Sequence, residues 1–176
     1  MAVLNSDMER RAVDRLTLAS GARLLAVGFG PGIGVIHATN QISDGIIAGV
    51  DPSPVMLAQA QRRVRRAGRT ADLRLGAVSQ LPWPDRSFDA VVSVNNVQLW
   101  HLPEDLHEVH RVLTGEGRLA VAVHASMLAR HLGASSPQDA SERLATIISD
   151  ASFVVAGSEV KQARTGPAIY VLAAVR

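Results

Sequence analysis

Short runs of apolar residues alternate with helix-like patterns through nearly the whole chain, and few folds are compatible with that order. The runs LLAV (24–27), AVVSV (90–94) and LAVAV (119–123) are almost entirely apolar at consecutive positions. Such runs are typical of strands that helices cover on both faces, since a strand with one face in water alternates apolar and polar residues. Repeated alternation of such strands with helices predicts an α/β fold with a parallel sheet and right-handed crossovers.

The pattern predicts seven strands and six helices. Ser6 and Glu9 resemble a capping box that begins a helix ending near Gly21. The last two strands, 152–160 and 168–175, are separated only by the turn-like RTGP, so we expect them to pair antiparallel. The predicted fold is therefore Rossmann-like: a doubly wound, seven-stranded, mostly parallel sheet with an antiparallel C-terminal strand pair. The other strands are expected at 24–29, 46–51, 72–76, 88–95 and 118–124, and the other helices at 33–43, 54–68, 103–113, 125–132 and 137–150.

A length of 176 residues is typical of one domain. We predict a single domain over residues 1–176 with three parts. These are an N-terminal helix (1–21), a core that binds a cofactor (22–124), and C-terminal helices with the strand pair (125–176). No internal repeat, low-complexity tract or linker interrupts this order.

Composition excludes several classes of protein. The chain has no cysteine, which excludes a disulfide framework, a thiolate metal site and a cysteine nucleophile. No apolar run approaches the ~20 residues that span a bilayer, and the opening residues MAVLNSDMERR lack the apolar core of a signal peptide. We therefore expect a cytoplasmic protein without membrane insertion. A net charge of +2 and only 3% aromatic residues argue against a nucleic-acid partner.

A glycine-rich loop, GFGPG (28–32), lies between the first strand and the helix that follows it. Glycines at this turn let backbone amides approach a ligand closely, and the N-terminus of the next helix adds a favourable dipole. The dinucleotide fingerprint GxGxxG requires a further glycine where Ile33 or Val35 stands. The observed GxGxG spacing therefore argues against a nicotinamide oxidoreductase.

Asp51 ends the second predicted strand, 19 residues after Gly32. A carboxylate at that position can accept hydrogen bonds from both hydroxyl groups of a ribose. The alternative is an aspartate that only shapes the turn before Pro52. The glycine loop and Asp51, in this order, together favour nucleoside binding.

Three longer segments occur in sequence order: LLAVGFGPGIG (24–34), IIAGVDPSPVMLAQA (46–60), and a stretch from 73 to 124 that contains LPWPDRSFD. Together they resemble class I S-adenosylmethionine-dependent methyltransferases, in particular the small-molecule branch that includes menaquinone-biosynthesis-type enzymes. The resemblance covers residues 22 to 124 and agrees with the predicted closing strand pair.

The resemblance implies S-adenosyl-L-methionine as the cofactor. In that family the glycine loop carries the methionine part, the acid matching Asp51 binds the ribose hydroxyls, and the segment matching 73–89 encloses the adenine. The resemblance also places Asn95 and the loop after it beside the methyl-donor region. The implied cofactor-binding residues are Gly28, Phe29, Gly30, Gly32, Asp51, Pro52, Ala77, Val78 and Asn95.

Two positions depart from the family pattern. Ala26 stands where the family usually has an acid that helps hold the ammonium end of the cofactor, and Ala77 where it often has an aspartate that meets the adenine amino group. Each lost charge-assisted hydrogen bond weakens binding by roughly 1.5–3 kcal/mol. These departures support an alternative hypothesis, a degenerate and non-catalytic binding or interaction module.

Candidate catalytic residues follow the fourth and fifth strands. Methyl transfer needs alignment, exclusion of water and in some cases a base. Asn95, His101 and His124 are the candidates, because the carboxyl ends of parallel strands meet at the ligand edge of the sheet. The alternatives are that His124 caps its strand and that His101 begins a turn. Trp83 is interpreted either as a lid on the adenine side or as a packing residue. Trp100 is expected to pack over the loop, with stacking on the substrate as the alternative.

A pair of histidines, His107 and His110, is flanked by Glu104 and Glu108 on one predicted helix. Two histidines without a third ligand on the same face make a poor metal site. We therefore predict no metal.

Five arginines crowd the end of the helix at 54–68 and the turn after it. Cations near a helix C-terminus are favourable, so a solvated face that compensates the helix dipole explains them. A phosphate-binding patch is the alternative. The five are Arg62, Arg63, Arg65, Arg66 and Arg69.

The resemblance thus implies methyl transfer to a small-molecule acceptor and leaves the methylated atom open among oxygen, nitrogen and carbon. The signature Asn/Asp-Pro-Pro-aromatic of amino methylation is absent, and NNVQ (95–98) replaces it. The chain has little room for an inserted cap over the substrate. We therefore expect an open pocket, or one closed by the N-terminal helix or by a second copy of the chain in a homodimer.

Overall fold

The computed structural model describes residues 6–176, and their strands form one mixed sheet. Five parallel strands are followed by an antiparallel hairpin. In chain order the strands are β1 (Arg23–Val27), β2 (Ile46–Asp51), β3 (Asp72–Leu75), β4 (Phe88–Val94), β5 (Leu113–His124), β6 (Phe153–Ala163) and β7 (Gly166–Val175).

The sheet order is β3-β2-β1-β4-β5-β7-β6. The chain runs outward from β1 to β3 and then returns to place β4 on the other side of β1. Val27 at the end of β1 pairs with Val50 of β2 on one side and with Ser93 of β4 on the other. β7 is antiparallel to both β5 and β6. The predicted fold class is confirmed, including the C-terminal pair.

Within residues 6–176, six helices cover the two faces of the sheet. Two of them begin as predicted, because Ser53 and Ser136 accept hydrogen bonds from Met56 N (3.3 Å) and Asp139 N (3.0 Å) and thereby cap their helices. A short 3-10 helix covers Val97–Leu99. The helices of the described residues are α1 (Ser6–Asp14), α2 (Ile33–Gln41), α3 (Pro54–Arg66), α4 (Glu104–Val112), α5 (Ala125–Leu132) and α6 (Pro137–Asp150).

The core consists of two apolar layers, one on each face of the sheet. Because side chains alternate along a strand, neighbouring residues such as Leu24 and Leu25 enter different layers. Helices α1, α2 and α3 pack on the face of Leu24, and α4, α5 and α6 on the face of Leu25. This arrangement places α1 beside the start of α2, at the carboxyl end of β1.

Several predicted boundaries were wrong, most of them by one or two residues, and three differences are larger. Helix α1 ends at Asp14 rather than Gly21, since the chain turns at Thr17, which has a positive φ of 46°. Strand β5 begins at Leu113 rather than 118, because Leu113 already pairs with Phe88 before a register shift. The hairpin is longer than predicted and turns at 164–165. Within residues 6–176, none of the helices combines the length and hydropathy that a transmembrane span needs.

Candidate functional site

A cavity of about 240 Å³ opens at the carboxyl ends of β1 and β4, where the strand order reverses. Adjacent strands diverge into connections on opposite faces of the sheet at such a point, and this leaves a crevice for ligands. The glycine loop, the end of β4 and one side of α1 form its walls. Its lining includes Glu9, Val13, Ala26, Gly28, Phe29, Gly30, Asp51, Val92, Val94, Asn95 and Asn96.

The glycine loop is held against the neighbouring strand by its backbone. Gly28 N donates to Val50 O at 2.8 Å, and Gly28 has a positive φ of 70°. A Cβ atom on Gly28 would overlap the side-chain amide of Asn96. The loop therefore requires glycine here both for its conformation and for the close approach of Asn96.

Asp51 is fixed by two backbone amides and is only 6% exposed. Its Oδ2 accepts a hydrogen bond from Gly30 N at 2.8 Å, and its Oδ1 accepts one from Ser53 N at 2.9 Å. A carboxylate offers about four lone-pair sites, so each oxygen retains capacity for a further donor. The residue thus shapes the turn before Pro52 and also presents an acceptor to the cavity. Its binding of a ribose stays a prediction.

A second cavity of about 170 Å³ adjoins the first. Val27, Gly28 and Asn96 line both cavities, so Asn96 stands at their junction. Asn96 Oδ1 accepts a hydrogen bond from Trp100 Nε1 at 2.6 Å, which holds the amide in place. The lining of the second cavity includes Pro52, Gly76, Ala77, Val78, Ser79, Trp100, His101 and Asp105.

The structure brings eight of the nine predicted cofactor-binding residues to these cavities. Gly28, Phe29, Gly30, Asp51 and Asn95 line the first cavity, and Pro52, Ala77 and Val78 line the second. Gly32 lines neither. It packs against Ala60 of α3 instead, where a Cβ would lie 2.8 Å from the Ala60 Cβ.

The side chains of the three predicted catalytic residues do not converge on one cavity. Asn95 lines the first cavity, and its Oδ1 accepts a hydrogen bond from His124 N at 3.0 Å. His124 itself lines neither cavity, and its Nε2 lies 2.8 Å from Thr165 Oγ1 in the β6–β7 turn. His101 is exposed and lines the second cavity. Their catalytic roles stay predictions, and Asn95 has the best placement.

Both tryptophans make packing contacts in the structure. Trp83 lines neither cavity, and its ring centroid lies 5.5 Å from that of Phe88 in an edge-to-face arrangement. Its Nε1 donates to Asp72 Oδ2 at 3.2 Å. Trp100 is 4% exposed in the core and contributes part of the wall of the second cavity.

We expect Asn95→Ala to lower the free energy of unfolding by about 1–2 kcal/mol, because it loses a half-buried hydrogen bond and places alanine at a positive φ of 51°. Asn95→Gly removes the same hydrogen bond without the backbone strain, so it should be less destabilising than Asn95→Ala. Urea unfolding of the three proteins measures both terms. Equal stability of Asn95→Ala and the parent would contradict the assigned hydrogen bond to His124.

Glu9 is a cavity residue that the sequence pattern did not reveal, because its spacing from Ser6 suggested a capping box. Its Oε2 instead accepts a hydrogen bond from Gly34 N at the start of α2. Burial raises the pKa of Glu9 to about 7, although the Gly34 amide and the Arg63 guanidinium both act to lower it. The structure thus adds a second carboxyl group to the cavity that contains Asp51.

The arginine cluster divides into two kinds of residue. Arg63 is half-buried and donates to Pro31 O in the glycine loop, so its assignment to a solvated face was wrong. The other four are exposed, as predicted, and Arg69 reaches Asn40 Oδ1 at 3.2 Å. Arg63 therefore braces the loop from α3.

The two histidines of α4 lie in different environments. The His110 ring lies 5.3 Å from the Phe153 ring in an edge-to-face contact, whereas His107 is exposed. Among residues 6–176, no three His, Asp or Glu side chains are grouped to hold a metal ion.

Comparison with solved structures shows the fold. A SAM-dependent methyltransferase from Aquifex aeolicus superposes with a TM-score of 0.77 at 18% identity, over 96% of this chain and 89% of that chain. The [4+2]-cyclase SpnF superposes with a TM-score of 0.80 at 21% identity, over 97% of this chain and 81% of that chain. At such identities the similarity concerns the fold alone.

Comparison of sequences shows the family. The chain is 31% identical to the uncharacterized methyltransferase YdaC of Bacillus subtilis over 124 residues, 70% of this chain and 67% of that protein. It is 34% identical to a demethylmenaquinone methyltransferase of Symbiobacterium thermophilum over 115 residues, 62% of this chain and 45% of that protein. Residues 24–117, more than half of the chain, match the family described as "Methyltransferase domain". Family and fold support S-adenosylmethionine as the cofactor. The resemblance inferred from the sequence is confirmed, and the chain belongs to the methyltransferase family.

Proposed function

We propose that this protein transfers a methyl group from S-adenosylmethionine to a small-molecule acceptor. One observation carries the proposal: a buried carboxylate, Asp51, is anchored by Gly30 N beside two adjoining cavities that meet at Gly28 and Asn96. An elongated ligand with a diol between two differently shaped ends matches such a pair of cavities.

The residues present fit this cofactor. Asp51 would bind the ribose hydroxyls, and the second cavity, lined by Val78 and the exposed Ala77, would hold the adenine. The first cavity would hold the methionine end along the glycine loop. Ala77 has no side-chain acceptor for the adenine amino group, so recognition of that group would depend on the backbone at 76–79.

The chemistry demands positioning more than reactive side chains. When bound, the cofactor supplies an electrophilic methyl group on a sulfonium. Val13, Val92 and Val94 give the cavity apolar walls that exclude water from the reacting atoms. Asn95 lines the first cavity and accepts a hydrogen bond from His124 N, and in this proposal it would orient the acceptor. Positioning alone supplies a large part of the rate of such transfers.

The named relatives support a small acceptor. Besides the demethylmenaquinone methyltransferase, they include an arsenite methyltransferase of Halobacterium salinarum and a phosphatidylethanolamine N-methyltransferase of Cereibacter sphaeroides. The chain spans 28%, 59% and 45% of the arsenite, phosphatidylethanolamine and demethylmenaquinone enzymes respectively. Their acceptor classes are therefore starting points for a screen. Cytoplasmic location and a homodimer stay predictions of the sequence.

The test is a methyl-transfer assay with radiolabelled S-adenosylmethionine and a panel containing a hydroquinone, a primary amine lipid and arsenite. We expect S-adenosylhomocysteine release that depends on one acceptor class. Calorimetric titration with S-adenosylhomocysteine accompanies the assay. Absence of binding up to millimolar concentration would overturn the proposal.

A non-catalytic binding module is the second candidate. Ala26 and Ala77 favour it because each removes an acid from a cofactor-facing position. The similarity to SpnF, a protein named as a [4+2]-cyclase, is consistent with a fold that is used beyond methyl transfer. This candidate predicts cofactor binding without acceptor-dependent release of S-adenosylhomocysteine, or no binding at all.

A further inference from the structure

The ionisable side chains that line the first cavity are all acidic among the described residues. They are those of Glu9 and Asp51. Arg63 lies behind the loop, where it donates to Pro31 O. Burying a cation without a counter-charge is strongly unfavourable. The two carboxylates can supply that counter-charge, so the cavity is complementary to a cationic group.

The two carboxylates are not equivalent as cation sites. Both oxygens of Asp51 already accept backbone hydrogen bonds, from Gly30 and Ser53. Only one backbone donor, Gly34 N, is assigned to Glu9 among the described residues. Since a carboxylate has about four lone-pair sites, Glu9 retains most of its capacity for an additional donor.

The cofactor carries such a cation at its amino-acid end. Ala26, which also lines the cavity and is 6% exposed, offers that end no charge. Glu9 reaches the same cavity from α1, which is anchored by the buried side chains of Met8, Ala12 and Val13. The packing of α1 thus holds a carboxylate where β1 has none.

We propose that Glu9 is the residue that binds the α-ammonium group of S-adenosylmethionine, in place of the acid that position 26 lacks. This assignment rests on the proposed function. It makes α1, which lies outside the matched residues 24–117, a required part of the cofactor site. Glu9 then acts as a binding residue rather than as a helix cap.

The raised pKa of Glu9 gives the assignment a pH signature. A carboxyl group with a pKa of about 7 is largely protonated at pH 6, and it must ionise to pair with an ammonium group. Affinity for an ammonium-bearing ligand should therefore rise as the pH rises. From pH 6.0 to pH 7.5 the expected gain is roughly eightfold, as the protonated fraction falls from about nine tenths to about a quarter.

Among the described residues, few other charged or titratable groups lie around Glu9. α3 contributes the guanidinium of Arg63, and β2 contributes the carboxylate of Asp51. His37 of α2 is paired with Asp14 at 2.7 Å on the outer side of the α1–α2 contact. From β4 the cavity receives Val92, Val94 and Asn95, which do not titrate in this range.

The experiment compares three ligands by calorimetric titration at pH 7.5. S-adenosylmethionine has the ammonium and the sulfonium, S-adenosylhomocysteine has the ammonium alone, and 5′-methylthioadenosine has neither. Glu9→Gln should weaken binding of the first two by about 10- to 100-fold and change binding of the third less than twofold. Glu142→Gln, an exposed change on α6, is the matched control and should leave all three affinities unchanged.

Each outcome separates this inference from the proposed function. If the parent protein binds none of the ligands, the proposed function fails. If the parent binds them and Glu9→Gln binds equally well, the inference fails and the proposed function stands. If Glu9→Gln weakened the binding of S-adenosylmethionine alone, Glu9 would interact with the sulfonium. If it weakened the binding of all three ligands equally, its role would be structural. Both results would overturn the inference. Tighter binding by Glu9→Gln would overturn it too, because Glu9 would then repel the cofactor's carboxylate.

A second measurement needs no variant. Titration of the parent protein between pH 6.0 and pH 7.5 should show the predicted rise in affinity for S-adenosylhomocysteine and a flat profile for 5′-methylthioadenosine. Parallel profiles for the two ligands would overturn the assignment even if Glu9→Gln failed to fold.

Discussion

Replacing Asp51 by asparagine should weaken the binding of S-adenosylhomocysteine by on the order of 100-fold, close to 2.7 kcal/mol. Asp51 uses one oxygen for Gly30 N and the other for Ser53 N. An asparagine side chain has one oxygen and one NH₂ group, so a donor would face a backbone donor on one side. The variant therefore loses both the negative charge that we propose faces the ribose and the alignment of the glycine loop.

Calorimetric titration measures the loss, with Asp44→Asn as the control. Asp44 is exposed and precedes β2, at the end of the strand away from the cavity, so this change removes a charge without touching the site. The control should bind within twofold of the parent. Undiminished binding by Asp51→Asn would show that the cavity at the end of β2 does not hold the ribose.

Gly32→Ala should lower the free energy of unfolding by about 2–4 kcal/mol, although Gly32 lines neither cavity. Gly32 has a positive φ of 82°, which is unfavourable for alanine. The added Cβ would also lie 2.8 Å from the Cβ and 3.0 Å from the Cα of Ala60, a fully buried residue of α3. A backbone atom cannot move aside as a side chain can, so α3 and the loop must separate.

The matched control is Gly133→Ala. Gly133 has a positive φ of 61° at the end of α5, and an added Cβ there would meet nothing within 4 Å. It should therefore show the backbone strain alone, about 1–2 kcal/mol. Urea unfolding with a shared m-value compares the two. Equal destabilisation by the two changes would contradict the close packing of the loop on α3.

Much of the fold and part of the site follow from local patterns in the chain. Runs that are apolar on both faces predicted three of the five parallel strands, and the alternation of strand-like and helix-like segments predicted the other two. The short turn near Gly166 predicted the antiparallel hairpin. The caps at Ser53 and Ser136 were predicted correctly because the donor and acceptor are three residues apart. The glycine loop and Asp51 could also be found from local sequence, because each lies where a predicted strand ends.

The boundaries that were predicted wrongly depend on pairing between distant segments. Leu113 extends β5 because it lies opposite Phe88, and the residues around it, with two glycines, carry little strand signal of their own. The early end of α1 at Asp14 depends on a turn at Thr17, a residue type that is uncommon at positive φ. Neither feature has a local signature.

By itself the sequence determined the class of fold and the family of the protein, and it predicted the edge of the sheet where we propose that the cofactor binds. Only the tertiary structure decided which side chains meet there. Glu9 lines the cavity and accepts a hydrogen bond from Gly34 N. The His124 side chain lies outside the cavity, where its Nε2 is within hydrogen-bond distance of Thr165 Oγ1. The reason is physical: strand and helix periods, caps and turns are set by neighbours within a few residues. A contact between α1 and α2, or between β5 and the hairpin turn, is decided by how the two apolar layers pack.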